Sequence, residues 1–375
     1  MSDDRKYRYQ SIFAYASFQF CGHIDEYLIE NTRRLSLFYC QPRFGKHYHI
    51  VRQYEEGRLV HERKLKSSQG LFAYYLLWLW NHNRELIRFL RSSKCTTIVF
   101  CGHPVCFFAK SLIMLLYRVR YAYWIGDYFP VNKFVIRTYE RLKKIYHDRM
   151  DFAYYLSDSI HRKMNRERIC GHSSRRTVMW GVKPYSSLCS EMKQQSKRLM
   201  FVGLLRAGQG IENVIDFLVS NKDYSLSIVG VAANGYEKTI YDLISRNGLS
   251  SRVYFENRFH ADKEVASIAR TCFCGLALYD LSEDNFTHYA DPGKVKAYIE
   301  LGLPVIMTRI SDIVPYVERF SAGEVLGSLK ELPNAISRVA AFPEVYTTGA
   351  INFGKYFDYR TYYPESFKEL ESVWR

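Results

Sequence analysis

Several features that mark other classes of protein are missing from this sequence. Its nine cysteines include no Cys-x-x-Cys pair, so we expect reduced thiols and no metal site. The two most apolar stretches, Leu71 to Trp80 and Cys95 to Tyr117, are too short or too interrupted to supply the roughly 18 apolar residues of a membrane-spanning helix. Residues 1–6 are not followed by an apolar segment of the secretory type. A cytoplasmic protein is therefore expected.

Acidic residues are scarce in the first half of the 375-residue chain. Residues 1–190 hold 32 Lys and Arg against 15 Asp and Glu, whereas residues 191–375 hold 21 against 23. The first half therefore has a net charge of +17 and the second half −2, in agreement with +15 for the whole chain. This asymmetry indicates an anionic partner for the first half: nucleic acid, a membrane surface or a phosphorylated substrate.

The second half alternates short apolar runs with segments of helical periodicity. This alternation predicts repeated βαβ units, and hence a parallel sheet with helices on both faces. The predicted strands are Arg198–Val202, Ser225–Val229, Val253–Phe255, Cys274–Tyr279 and Pro304–Thr308, and the predicted helices are Ile211–Ser220, Tyr236–Arg246, Lys263–Arg270, Lys294–Leu301 and Ile313–Phe320.

The first half alternates in the same way, but less regularly. We predict an α/β protein of two Rossmann-like, doubly wound domains that face a cleft, residues 1–190 and 191–355, with a C-terminal helical segment at 356–375 that can pack back on the first domain. The first-half strands are predicted at Ser11–Phe20, Ser36–Cys40, Thr96–Cys101, Tyr121–Ile125 and Phe152–Leu156, and the helices at Gly22–Thr32, Gly70–Arg91, Val105–Arg118 and Arg137–Met150.

One helix of the second half has both of its ends marked by sequence. Asp291 can cap it, Pro292 suits its first position, and Gly302 can end it in the left-handed conformation. Free amides at the N-terminus of this helix, with Lys294 beside them, would form an anion site. A well-capped helix without any ligand is the equally weighted alternative.

A second anion-binding candidate is the loop from Gly203 to Gly210. It follows a predicted strand, contains three glycines and carries Arg206, which suits a phosphate cradle. The loop lacks the Gly-Lys-Ser/Thr of a Walker A motif and does not match Gly-x-Gly-x-x-Gly. A plain tight turn is at least as consistent with it.

Together these segments resemble the C-terminal domain of GT-B glycosyltransferases, and most closely the retaining glycosyltransferase family 4, or group 1 type. The resemblance covers residues 198–320 and rests on the Gly203–Gly210 loop, Ile228-Val229-Gly230, Gly275 to Tyr279, and the Pro292-x-Lys294…Tyr298…Gly302-x-Pro304-Val305 helix. In the first half it is thinner and rests on Tyr123 to Pro130 and Tyr155 to Asp158. It implies a nucleotide-sugar site in the second domain, an acceptor site in the first, and neither a catalytic metal nor another cofactor.

The resemblance also implies which positions bind the donor. Lys294 and the neighbouring amides match the place where the donor diphosphate meets a helix N-terminus. Leu204, Gln209 and Ala297 replace the Arg, Lys and ribose-binding Glu that the family usually has there. The candidate donor-binding residues are Gly203, Arg206, Gly208, Gln209, Gly210, Tyr289, Asp291, Pro292, Gly293, Lys294 and Val295.

Four polar residues of the first half follow predicted strands. Asp127 and His103 come directly after strands, where a parallel sheet places reactive groups, and are the candidate catalytic residues. His23 and Asp25 follow the first strand and are weaker candidates for the acceptor side of the cleft. A loop-capping role is the alternative for Asp127.

The predicted helix Arg137–Met150 interleaves basic and apolar residues. Its candidate membrane-facing residues are Arg137, Arg141, Lys143 and Lys144, since a basic amphipathic helix can lie on anionic lipid headgroups. A solvated helix face is the alternative. Nucleic acid is not expected as the partner because no RRM, KH or helix-turn-helix signature is present.

The sequence therefore predicts a glycosyltransferase that moves a sugar from a nucleotide-diphosphate sugar to a saccharide or lipid-linked acceptor in surface polysaccharide or glycan biosynthesis. It would lie at the inner face of the plasma membrane. Two alternatives stay open: a sugar-nucleotide epimerase of the same fold, and a non-catalytic binding subunit that would explain Leu204, Gln209 and Ala297.

Overall fold

The computed structural model describes residues 7–16, 22–40, 48–68, 70–130, 133–166, 174–184, 197–282 and 285–374. The chain divides into two compact units. Unit 1 comprises residues 1–181 and 359–375, and unit 2 comprises residues 182–358. The chain thus leaves unit 1 at Gly181 and returns to it at Tyr359, whereas the sequence suggested boundaries after 190 and 355.

The secondary structure alternates strands and helices throughout both units. The strands are β1 (Tyr9–Ala16), β2 (Thr32–Cys40), β3 (His49–Glu55), β4 (Arg58–Leu65), β5 (Thr97–Cys101), β6 (Val119–Ile125), β7 (Phe152–Tyr155), β8 (Arg175–Thr177), β9 (Arg198–Val202), β10 (Ser225–Gly230), β11 (Val253–Asn257), β12 (Cys274–Ala277), β13 (Val305–Thr308) and β14 (Gly323–Leu326). The α-helices are α1 (Ile24–Asn31), α2 (Leu71–Arg91), α3 (Lys110–Leu116), α4 (Phe134–His147), α5 (Asp158–Met164), α6 (Ile211–Ser220), α7 (Tyr236–Arg246), α8 (Asp262–Ala269), α9 (Gly293–Glu300), α10 (Val314–Phe320), α11 (Leu332–Ala341), α12 (Pro343–Tyr356) and α13 (Tyr359–Ser366).

Unit 2 contains a six-stranded sheet in the order β11-β10-β9-β12-β13-β14, and all five neighbouring pairs are parallel. Counted from β9, this order is 3-2-1-4-5-6, the order of dinucleotide-binding folds, and it reverses direction between β9 and β12. The predicted parallel α/β architecture is confirmed. β9, α6 and α7 begin and end where the sequence predicted.

Unit 1 contains an eight-stranded sheet in the order β4-β3-β2-β1-β5-β6-β7-β8. β3 is antiparallel to both of its neighbours, β2 and β4, and this β3–β4 hairpin was not predicted. β4 is exposed along almost all of its length and carries charged residues on both faces, so it lacks the apolar alternation by which strands are recognised.

One further element of unit 1 differs from the prediction. The helix expected over Val105–Arg118 is a 3₁₀ turn at Pro104–Phe107 followed by α3. The C-terminal segment forms α13 and a 3₁₀ helix, Lys368–Trp374, and both pack on unit 1. The Tyr363 hydroxyl accepts the Gly181 amide at 2.7 Å, and the Trp374 indole donates to the Thr96 carbonyl at 2.7 Å.

No helix in the described part of the chain combines the length and the apolar character needed to cross a bilayer.

Candidate functional site

Two loops and one helix start meet at the carboxyl ends of β9 and β12 in unit 2. Gly203 follows β9 with φ +112°, and a Cβ atom there would lie 3.2 Å from Lys294 Cε. The carbonyl of Gly208 accepts the amide of Asp280, which lies beyond β12, at 3.0 Å. This is the edge at which the strand order reverses, where open α/β sheets bind ligands.

Lys294 places a cation at the centre of this edge. Its Nζ lies 3.7 Å from the ring centroid of Phe201 and donates to Gln209 Oε1 at 3.3 Å. Burial, followed by the charge of Arg206, lowers the pKa of Lys294 well below its ordinary value. Among the described residues no carboxylate pairs with Lys294 or Arg206. A half-buried cation that none of the described carboxylates pairs favours the binding of an anion.

The Gly203–Gly210 loop supplies the second cation. Arg206 is exposed, and its guanidinium carbon lies 5.3 Å from the ring centroid of Phe286. Gly210 begins α6 with φ +68°, and a Cβ there would lie 2.8 Å from Leu278 Cβ. Glycine is therefore required at this point for the loop to pack on the residue that follows β12.

The first turn of α9 differs from the prediction at two of the candidate donor-binding residues, Pro292 and Val295. Pro292 is the residue before the helix, and the Val295 amide already donates to the Pro292 carbonyl at 3.0 Å. The helix therefore presents the amides of Gly293 and Lys294, which have no preceding turn to accept them. The Val295 amide is not available to a ligand.

Asp291 has a different role from the predicted helix cap. Its side chain is fully buried, and Oδ2 lies 3.6 Å from Nζ of the equally buried Lys296. Lys296 Nζ also lies 3.4 Å from the ring centroid of Phe357. This ion pair anchors the start of α9 in the core of unit 2. Sequence reasoning missed Lys296, since nothing local separates it from a solvated lysine.

Tyr298 is a further residue whose role the sequence did not reveal. Its hydroxyl accepts the Val202 amide at 2.8 Å and donates to the Leu276 carbonyl at 2.9 Å. Its ring occupies the space that a Cβ on Gly275 would fill. Tyr298 thereby ties α9 to the ends of both strands and fixes Lys294 beside Gly203.

Tyr289 is a further candidate donor-binding residue. It is half-buried and ends the 3₁₀ turn Phe286–His288. Glu300, three residues after Ala297 on α9, accepts the Lys183 amide at 3.0 Å.

In unit 1, His103 and Asp127 follow the neighbouring strands β5 and β6. The carbonyl of Asp127 accepts the ammonium of Lys143. The His103 ring lies 4.5 Å from Trp78 and 5.4 Å from Tyr139 between centroids. Burial and the charge of Lys143 lower the pKa of His103 to about 4, so the ring is neutral near pH 7.

The prediction that Lys143 faces a membrane was wrong, because its side chain is buried. It is only 2% exposed and also binds Glu140 at 3.0 Å, because it lies on the face of α4 that packs on the sheet. Arg137, Arg141 and Lys144 are exposed.

His23 and Asp25 lie at the start of α1, after the carboxyl end of β1. His23 adopts the left-handed conformation, and its ring stacks on Tyr359 at 5.4 Å between centroids. Asp25 is half-buried, and burial raises its pKa. β1 and β5 are neighbours in the sheet, so the loops that carry His23 and His103 leave the same edge.

Solved structures of other proteins share this architecture. The chain is similar to sucrose-phosphate synthase from Thermosynechococcus elongatus, with a TM-score of 0.66 and 12% identity over 97% of this chain and 99% of that one. It is similar to HepE from Anabaena, solved with UDP and glucose, with a TM-score of 0.65 and 17% identity over 97% and 100% of the two chains. The pneumococcal O-GlcNAc transferase GtfA, solved with UDP and GlcNAc, gives a TM-score of 0.57 and 13% identity over 91% and 70%.

Sequence comparisons add no relative. No model of a protein family matches the chain, and no curated protein matches it in sequence. The structural similarity extends over nearly the whole of this chain and the whole of two of these proteins. The chain therefore has the GT-B fold of glycosyltransferases.

Proposed function

We propose that this chain is a glycosyltransferase that uses a nucleotide-diphosphate sugar as its donor. The observation that carries the proposal is Lys294, a half-buried lysine at the start of α9 that lies against Gly203 beside Arg206. No carboxylate of the described residues pairs with these two cations, and a diphosphate would supply the anion. HepE and GtfA, which share the fold, were solved with UDP, so UDP-sugars are the first donors to test.

In the proposed sugar transfer, the protein must stabilise the negative charge that develops on the diphosphate leaving group. Transfer breaks the bond between the sugar carbon and the diphosphate oxygen, and the leaving oxygen gains negative charge. Lys294, Arg206 and the amides of Gly293 and Lys294 would stabilise this charge. Because these groups belong to the chain, the proposed reaction uses no cofactor. Retention of the anomeric configuration without a catalytic metal is proposed from the family resemblance.

The acceptor is proposed to bind unit 1, with Asp127 and His103 as the candidate catalytic groups. Both lie at the carboxyl edge of the unit 1 sheet, where Lys143 binds the Asp127 carbonyl and lowers the pKa of His103. The rings of Trp78 and Tyr139 contact His103 and hold its ring at this edge, and the family resemblance implies a saccharide or lipid-linked acceptor. The proposed setting is surface polysaccharide or glycan biosynthesis.

Calorimetry against UDP-, GDP- and ADP-sugars tests the donor site. One class should bind, and Lys294→Ala and Arg206→Ala should each weaken its binding at least about tenfold, which is about 1.4 kcal/mol. Lys238→Ala, an exposed lysine on α7, should leave the affinity unchanged. Failure of every donor to bind, or equal weakening in all three variants, would contradict the proposal.

Turnover then separates the proposal from its two rivals. A glycosyltransferase releases the nucleoside diphosphate in step with a glycosylated acceptor. An epimerase converts the sugar nucleotide without any acceptor, and a binding subunit binds the donor without consuming it. Chromatography of the reaction with and without an extract of lipid-linked saccharides distinguishes the three.

We further propose that unit 1 lies on the inner face of the plasma membrane. Three helices that surround the Pro104–Phe107 turn expose large apolar side chains: Phe72, Tyr75, Leu76 and Trp80 on α2; Phe108, Leu112, Met114, Leu115 and Leu116 at α3; and Phe134, Val135, Leu142 and Ile145 on α4. The exposed basic residues Arg137, Arg141 and Lys144 of α4 lie among them. Apolar side chains beside cations suit the interface of an anionic leaflet better than nucleic acid.

Co-sedimentation with phosphatidylcholine vesicles that contain phosphatidylglycerol tests the membrane proposal. Leu115→Ser with Phe134→Ser should reduce binding at every salt concentration, because both side chains are more than 70% exposed. Arg141→Ala with Lys144→Ala should reduce it chiefly at low salt. Lys238→Ala with Arg246→Ala on unit 2 is the control. The proposal would be overturned if both unit 1 double variants bound the vesicles as well as the unchanged protein does.

A further inference from the structure

Two thiols and one imidazole converge in the core of unit 1. Cys101 ends β5, Cys106 lies in the 3₁₀ turn after it, and His82 lies in the middle of α2. All three residues are at most 1% exposed. Their donor atoms, two Sγ and Nε2, lie within 4.8 Å of one another, and Cys101 Sγ lies 3.7 Å from His82 Nε2. Both cysteines are free thiols.

These distances suit a shared metal ion. Tetrahedral zinc has Zn–S bonds of about 2.3 Å and Zn–N bonds of about 2.0 Å, which place sulfur and nitrogen ligands about 3.5 Å apart. The 3.7 Å between Cys101 Sγ and His82 Nε2 is close to that value. Two thiolates and an imidazole are also soft donors of the kind that selects zinc over magnesium or calcium.

We propose that His82, Cys101 and Cys106 bind one zinc ion. Binding would release two thiol protons to solvent and form two Zn–S bonds and one Zn–N bond. The two thiolates balance the charge of Zn²⁺, so the site is neutral overall. Neutrality matters here because the rings of Phe13 and Phe38 pack against His82 at 5.4 and 5.6 Å between centroids, and an uncompensated charge in such surroundings is costly.

We assign the ion a positioning role, with three protein ligands and the fourth tetrahedral position left to a small ligand such as water. Cys101 and Cys106 bracket the loop that carries His103, so a bound zinc ion would hold both ends of this loop to α2. Sequence analysis predicted no metal site, because the spacing Cys-x₄-Cys is not a common zinc motif and the third ligand lies on another element.

A second cluster of possible metal ligands, in unit 2, does not suit a metal ion. Glu256, His260 and Glu264 also bring their donor atoms together. Arg258 already occupies the position of a cation, since its guanidinium binds Glu256 at 2.6 Å and Glu264 at 3.0 Å. These carboxylates are compensated without a metal ion.

Metal analysis of the full-length chain, purified with reductant and supplied with zinc, tests the proposal. We expect about one zinc per chain, lost in Cys101→Ser and in Cys106→Ser but kept in Cys95→Ser, whose half-buried thiol lies outside the cluster. Replacement of zinc by cobalt should give a thiolate-to-cobalt charge-transfer band in wild type and in Cys95→Ser only.

Three results would overturn it. The first is wild-type protein with all thiols reduced that retains no zinc after gel filtration. The second is a Cys101→Ser, Cys106→Ser double variant that still folds and keeps its zinc. The third is cobalt bound without a charge-transfer band, which would place the metal on oxygen or nitrogen ligands elsewhere. Circular dichroism of each variant separates loss of the ion from loss of the fold.

Discussion

The side chain of Lys294 lies directly on the backbone of Gly203, with Cε 3.2 Å from the position that a Cβ would take there. This contact joins the start of α9 to the loop after β9. Tyr298, one turn further along α9, holds the same two elements together through the Val202 amide. The relative position of the two segments proposed to bind the donor therefore depends on a glycine and a tyrosine that carry no charge themselves.

Gly203→Ala should impair donor binding by displacing Lys294. Its φ of +112° strains any other residue, at a cost of about 1–3 kcal/mol, and the new Cβ would push on the lysine. Gly235→Ala is the matched control, because φ is +79° but nothing lies within 4 Å. We expect similar losses of stability in urea unfolding and at least about tenfold weaker donor binding in Gly203→Ala alone. Equal donor affinity in both variants would refute the role of the contact.

Donor affinity should depend on pH through Lys294. Burial and Arg206 lower the pKa of Lys294 in the free protein, whereas a bound diphosphate favours the charged form. Affinity is therefore expected to fall as pH rises through the lowered pKa, with uptake of a proton on binding in that range. Lys294→Arg keeps its charge at all these pH values and should flatten the profile. Calorimetry in buffers of different ionisation enthalpy measures the uptake directly.

Tyr298→Phe should destabilise unit 2 without altering its net charge. The change leaves the Val202 amide and the Leu276 carbonyl without their shared partner, which costs about 1–3 kcal/mol when such groups are buried. Tyr241→Phe is the control, since that side chain is 47% exposed. A shift of the urea midpoint for Tyr298→Phe no larger than for Tyr241→Phe would show that the hydroxyl is dispensable.

Three histidines should make unit 1 sensitive to acid. Burial lowers the pKa of His49, of His103 and of His147 from 6.5 to about 4. Between these values the unfolded chain binds protons that the folded chain does not, so stability is full above about pH 6.5 and falls as pH drops toward 4. His147→Gln should lessen this loss, whereas His61→Gln, at an exposed position of β4, should not. Thermal unfolding from pH 7 to 4.5 gives the comparison.

Local signals predicted most of unit 2. Short apolar runs that end at glycine, followed by amphipathic segments, located every strand from β9 to β13 and the helices between them to within a few residues. Capping residues and the Pro292-x-Lys294 pattern located the start of α9. These features are visible in sequence because each depends on residues fewer than about ten positions apart.

Features that depend on distant partners were not predictable in this way. Lys143 and Lys144 are neighbours in a basic amphipathic helix, yet one is buried and the other exposed. The sequence predicts Asp291 as a helix cap, but in the structure it pairs with Lys296, which packs on Phe357. The β3–β4 hairpin, with its charged outer strand, has no apolar alternation to reveal it.

By itself the sequence determined an α/β protein with a basic first half, and it predicted an anion-binding helix start, because periodicity, turn residues and charge are local properties. Only the tertiary structure decided which of the described cations have no carboxylate beside them, which acidic groups are already paired, and which cysteines meet a histidine. Those properties arise when residues far apart in sequence share one desolvated volume, where charge and hydrogen-bond capacity must be compensated. Lys143 is buried against the Asp127 carbonyl and Glu140, whereas among the described residues Lys294 has no carboxylate partner.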